Sequence, residues 1–189
     1  MSPQITIVPV GPIDQGLLSW LKERLPQEID QNVDIVIGQG IPIPSDGYDE
    51  RRHQTEGTTI LDALRARPRP AGEDKADKVL GLIDADCYTN GLSFIFGQAV
   101  LNGREAFVAL PRLRESYYGL PEKHDLFLTR LLKEVIHELG HTWGLAHCPD
   151  PRCVMHFSNG LRDTDIKGPG LCQECQRQLA PEQVIERIW

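Results

Sequence analysis

Long apolar runs are missing from this sequence: no uninterrupted stretch of its 189 residues approaches the ~18 that a membrane-spanning helix requires. Basic clusters are scarce too. Only the short stretch 65–69 concentrates arginine, and 20 Lys and Arg against 27 Asp and Glu leave a net charge of −7. Such a chain is a poor match for a nucleic-acid backbone, so no nucleic-acid partner is expected. The opening residues, Met1-Ser2-Pro3-Gln4, do not place a basic stretch ahead of an apolar one, and the cytoplasm is the expected compartment. Internal repeats and low-complexity tracts are absent, and length and composition lead one to expect a single globular domain with room for two lobes. At this length folding buries roughly 70% of the unfolded surface, so a core is possible without disulfides. The five cysteines are therefore not needed as staples.

The residues that are present divide at about residue 144. The run Gln4-Ile5-Thr6-Ile7-Val8-Pro9-Val10 is β-branched and reads as a strand. Leucines 17, 18, 21 and 25 come next at helical spacing, with Asp14 as N-cap and Pro26 as the stop. Residues 32–37 and 78–84 read as further strands, and 58–67 as a short helix halted by Pro68. Two strands, 94–99 and 106–110, flank Asn102-Gly103, a hairpin turn signal. From 125 to 144 the pattern is helical, with a wide apolar face of Leu128, Leu131, Leu132, Val135, Ile136 and Leu139. After Gly144 the sequence turns rich in Gly, Pro and Cys, until Pro181 opens a last helical segment, 182–189. The expected class is α/β (α+β): a twisted mixed sheet with helices over 1–144, then a small irregular lobe over 145–189.

The residues that carry chemistry lie around that boundary. His137-Glu138-Leu139-Gly140-His141 puts two imidazoles four residues apart on a helix, about 40° apart in azimuth and ~6 Å in rise. Both can reach one metal ion. Glu138 beside them is placed to act as general base on a metal-activated water. Gly144 and His147 extend the pattern to H-E-x-x-H-x-x-G-x-x-H. With 17 Gly and 6 His in the chain, that extension arises by chance roughly once in 350 such motifs. A continued helix would carry His147 away, whereas a left-handed Gly144 reverses the chain and returns it as third ligand. Three histidines leave one position open, as in catalytic zinc sites.

This pattern resembles the metzincin clan of zinc peptidases, and the segment after the third histidine is similar to the archaemetzincins. Cys148 is adjacent to His147, Cys153 stands five residues on, Met155 comes two residues later, and Cys172-Gln173-Glu174-Cys175 completes the set. The resemblance covers residues 137–175. It implies that His137, His141 and His147 bind a catalytic zinc, that Glu138 is base and then acid, and that Met155 forms the Met-turn beneath the metal. It implies a peptide or protein as substrate. Where some metzincins carry a tyrosine two residues past that methionine, this chain has Phe157, which offers packing only.

Read from their chemistry, Cys148, Cys153, Cys172 and Cys175 form a closed structural zinc site, making two zinc ions per chain; two disulfides are the rival. Cys87 reads as a small core residue. His156, Tyr117 and Tyr118 are possible donors with no assigned role. If, as the resemblance to metzincins implies, the strand 94–99 is the sheet's edge above the cleft, it pairs with an extended substrate, and Gly91 and Gly97 suit the close approach or mark a bulge. A monomeric zinc peptidase is the expectation. The alternatives are a zinc-binding interaction module without catalysis, against which Glu138 speaks, and a redox-responsive protein whose Cys172 and Cys175 oxidise.

Overall fold

Ile5, Ile7, Val8 and Val10 have nowhere to go but inward on both faces, and in the computed structural model, which describes residues 4–29, 33–68 and 78–179, they build a central strand. This strand, β1 (Gln4–Val10), pairs in parallel with β2 (Asp34–Ile37) on one side and β5 (Lys78–Ile83) on the other. Beyond β5 lie β9 (Glu105–Ala109), again parallel, and β8 (Gly97–Ala99), antiparallel at the edge. The order is β2-β1-β5-β9-β8. Leu80, Leu82, Ala106 and Val108 face one core, under the first helix and the long third one; Val79, Ile83, Phe107 and Ala109 face another, under the second. Helices thus cover both faces of a mostly parallel sheet.

The first helix, α1 (Gln15–Glu28), starts at Asp14, whose side chain accepts from the Leu17 N–H at 2.9 Å. Pro26 does not stop it. A proline near the last turn forfeits only one bond, and the Ile29 N–H still reaches the Leu25 carbonyl while Leu25 and Ile29 are buried. The second helix, α2 (Gly57–Ala66), buries Ile60, Leu61 and Leu64.

Two further findings differ from the sequence reading. A second sheet, in the order β3 (Tyr48–Asp49), β4 (Gln54–Glu56), β6 (Cys87–Thr89), β7 (Leu92–Ile95), was not foreseen; apart from residues 94 and 95, its two- to four-residue strands were not expected. The strand expected over 94–99 is divided at Phe96: β7 belongs to the second sheet and β8 to the first. Ile95 still pairs with Cys87 of β6 while Gly97 already pairs with Val108 of β9, so the chain changes sheets at Phe96.

The long helix, α3 (His124–Thr142), packs on β9 and β8. After it come turns and two short helices, α4 (Leu161–Ile166) and α5 (Gln173–Leu179), where an irregular lobe is expected. Leu145, Val154, Met155, Cys148, Cys153 and Cys175 are buried in the same core as α1 and α3. Arg130 and Lys133 of α3 hold α4: Arg130 pairs with Asp165 at 2.7 Å, and Lys133 donates to the Thr164 and Asp165 carbonyls. The expected helix 182–189 lies outside the described residues. Among the described residues no helix is long and apolar enough to cross a membrane.

Candidate active site and metal centres

The helix α3 ends in a Schellman motif. The Leu145 N–H reaches back to the Gly140 carbonyl (3.0 Å), the Gly144 N–H to that of His141 (2.9 Å), and Gly144 takes φ +92°. The loop between β8 and β9 caps the same end, the Asn102 N–H donating to the His141 carbonyl, and from the start of β5 Lys78 Nζ donates to that of Thr142. Through this turn His147 comes back to the helix. The donor nitrogens of His137, His141 and His147 lie within 4.8 Å of one another.

The hydrogen bonds of the two helical histidines decide what they can hold. His137 Nδ1 donates to the Val154 carbonyl at 2.8 Å and His141 Nδ1 to that of Leu145 at 2.7 Å. A carbonyl only accepts, so each Nδ1 carries the proton and each Nε2 presents a lone pair. Those two Nε2 atoms face each other at 3.1 Å. Two acceptors aimed at one point fit a shared cation; the edge of a tetrahedron with zinc–nitrogen bonds of about 2.1 Å is about 3.4 Å. Burial, followed by the charge of Lys167 and the neighbouring His141, pushes His137 well below the usual imidazole range and keeps it neutral. His141 and His147 are lowered mainly by burial as well.

Glu138 is buried against β8. A Cβ at Gly97 would stand 2.6 Å from Glu138 Oε1, so the strand approaches the carboxylate as closely as it does only because residue 97 has no side chain. Burial first, then the charge of Glu134 one turn earlier, raise the Glu138 carboxyl well above the usual range, with Lys167 opposing. Met155 lies under the helix: a Cβ on Gly140, between the two histidines, would meet its Sδ at 2.3 Å. The cleft, of about 420 Å³, is walled by Phe94, Phe96, Ala99 and Ala146 beside Glu138 and the histidines. Phe157 is there also, its ring 4.9 Å from that of His147.

The four expected cysteines also converge. Their sulfurs lie within 4.8 Å of one another, and none is bonded to another. Cys148 Sγ is 3.7 Å from Cys172 Sγ, and Cys153 Sγ 3.7 Å from Cys175 Sγ. Four thiolates at zinc–sulfur distances of about 2.3 Å would be about 3.8 Å apart. The Cys175 N–H, more than any other contact, lowers the Cys172 thiol to about 7. Cys87 lies in the second core with its thiol raised by burial, as a core residue should be.

The remaining candidates fall elsewhere. Tyr117 donates to Asp86 and Tyr118 to the Arg112 carbonyl, and neither lines the cleft. His156 Nδ1 donates to the Cys148 carbonyl, between the two clusters. Sequence reasoning missed the buried pair Glu134–Lys167, 2.9 Å apart, which reaches all three histidines and Glu138 electrostatically. Only the i, i+4 spacing of Glu134 and Glu138 on one helix face hinted at it.

Comparison with known proteins matches residues 23–181 to peptidase family M54. The chain is 40% identical to the archaemetzincin of Methanocaldococcus jannaschii over 179 residues, covering 95% of this chain and 94% of that one. It is also 40% identical to that of Pyrococcus furiosus, covering 95% and 93%. The crystal structure of the archaemetzincin of Methanopyrus kandleri superposes with a TM-score of 0.80 at 35% identity, over 94% of this chain and 93% of that one. A zinc-dependent peptidase of Methanocorpusculum labreanum does so at 0.78 and 27% identity, over 93% and 99%. With a motif, a fold and relatives that agree along nearly its whole length, the chain belongs to peptidase family M54, the archaemetzincins, and is a zinc metallopeptidase.

Proposed function

We propose that this chain hydrolyses peptide bonds with Glu138 as general base, a catalytic zinc on His137, His141 and His147, and a second, structural zinc on Cys148, Cys153, Cys172 and Cys175. A zinc ion in the histidine site supplies Lewis acidity toward the scissile carbonyl and makes water more acidic. The observation that carries the reading is the pair of Nε2 lone pairs 3.1 Å apart, each aimed by a carbonyl behind its ring, with a buried carboxylate next to them.

Each side chain then has a task. Glu138 takes a proton from water and delivers it to the leaving amine, and its raised affinity for protons suits both halves. The carbonyls of Val154 and Leu145 hold the two helical rings in the tautomer that offers Nε2. Strand β8, at the free edge of the sheet and along the cleft, offers its backbone to an extended peptide. Met155 is the floor of the site, packed on Gly140. Left-handed Gly144 is the boundary between two subdomains, 1–144 and 145–189. Five cysteines with no disulfide among them, four of them held for zinc, suit a reducing compartment, the cytoplasm.

Replacing Glu138 with Gln tests the central step. Zinc content and melting temperature should stay as in the parent while turnover of a mixed peptide library falls roughly 10²-fold or more. Undiminished turnover would remove Glu138 from the reaction.

A further inference from the structure

The two clusters are not merely neighbours. His147 and Cys148 are consecutive, so one peptide unit separates a donor of the histidine site from a donor of the cysteine site. The Cys148 N–H donates to the Met155 carbonyl at 2.9 Å, and its own carbonyl accepts from His156 Nδ1 at 2.9 Å. On the other side Val154, whose carbonyl orients His137, is the residue next to Cys153. The Val154 N–H is fixed on the Gly170 carbonyl (3.0 Å), the His156 N–H on that of Cys153 (3.0 Å), and Cys153 Sγ accepts from the Cys172 N–H (3.4 Å). Two of the three histidines are therefore set by backbone adjoining a cysteine. Only His141, held by Leu145, is not.

This segment is close-packed at its Cys153 end, while residues 149, 151 and 152 are exposed. Cys153, Val154 and Met155 are each at most 1% exposed, and a close-packed interior passes on a displacement where a loose one would absorb it. Resting on the two-site proposal for this chain, we propose that the four-cysteine site sets the metal affinity of the three-histidine site, so that the two bind metal with positive cooperativity. Whichever ion binds first orders the backbone from Cys148 to His156, and the second meets a prepared set of donors.

Cobalt(II) is a suitable probe, because its thiolate and imidazole complexes absorb differently and report the two sites separately. The metal-free full chain is titrated against a competing chelator, beside Cys175→Ser, which cripples the cysteine site, and His141→Ala, which cripples the histidine site at the one ligand outside the shared backbone. The histidine site should weaken about 10- to 100-fold in Cys175→Ser, the range for loss of groups that orient ligands. The cysteine site should weaken by a comparable factor in His141→Ala, since coupling between sites is reciprocal. Parent-like affinity of the remaining site in either variant overturns the proposal. If Cys175→Ser fails to fold, His141→Ala, with its cysteine site whole, decides alone. A parent that binds two metals independently overturns the coupling but leaves the two-site reading standing, whereas a parent that binds one overturns both.

Discussion

Gly97 is the residue through which the sheet touches the base, and adding one methyl group there tests the placement of Glu138. A Cβ would lie 2.6 Å from Glu138 Oε1, 2.7 Å from its Cγ and 2.5 Å from the carbonyl oxygen of Phe107. Phe107 is backbone of the neighbouring strand, where Gly97 pairs with Val108, so relief requires β8 to move off β9 and the carboxylate to swing away. Overpacking of this kind costs about 1–3 kcal/mol of stability. A misplacement near 1 Å costs roughly 10²-fold in rate. Gly97→Ala should therefore keep its zinc, since no histidine is among the atoms nearest the new carbon, and lose about 10²-fold in kcat. The double variant with Glu138→Gln sharpens the test: if both changes act on the same carboxylate, it falls no further than Glu138→Gln alone. Parent-like kcat in Gly97→Ala, or losses that multiply in the double variant, would refute the claim that β8 sets the base.

Two other perturbations probe the turn and the scaffold. At Gly144 a Cβ has room, its nearest atom being Asn102 Oδ1 at 3.6 Å, so what opposes a side chain there is the φ of +92°, and a β-branched one, as in Gly144→Val, feels it most. That strain, on the order of 1–2 kcal/mol, should weaken zinc at the histidine site about tenfold, as measured by chelator competition beside His147→Ala; parent-like binding would mean that the turn does not deliver the ligand. Asp86, although its burial acts upward, is held below the usual aspartate range by Arg112, with Gln54 and Tyr117 adding bonds. A depressed folded pKa gives stability that is complete above the unfolded value and fades as pH falls through the folded one. Asp86→Asn should thus cost about 1.5–3 kcal/mol at neutral pH, a gap that narrows below roughly pH 4; urea midpoints that differ by the same amount at every pH would show that Asp86 contributes nothing through its charge.

How far the fold was legible depends on how each element is stabilised. Strands β1 and β5 announce themselves because both of their faces are buried, so that after the first residue of each, Gln4 and Lys78, nearly every position is apolar or small. The helix α3 does so because its apolar face repeats for about four turns. The strands β3, β4 and β6 are two or three residues long, and the sheet depends on contacts distant in sequence, such as β4 on β6 and Gln54 on Asp86 and the Ser93 carbonyl. No local period exists to read there. Pro26 misled for a related reason: the rule that proline stops a helix concerns one lost bond, and burial of Ile29 beyond it outweighs that loss.

The candidate site was more legible than the fold because metal chemistry restricts which residue types can stand at which spacing. Histidines four apart, a glycine and a third histidine leave a trace in the one-dimensional sequence, and so do paired cysteines. The groups that aim those ligands leave none. Both helical histidines are oriented by main-chain carbonyls, at Val154 and Leu145, and every residue has a carbonyl, so no side-chain identity marks the role. Gly97 leaves half a trace: its lack of a side chain signals close approach, but that the approaching group is Glu138 depends on the crossing of β8 and α3. The same logic says where substitutions will be tolerated without loss of metal. Val154 can change its side chain within the limits of packing and still present its oxygen, whereas a change that moves its backbone, as at Cys153 beside it, takes the His137 ring along.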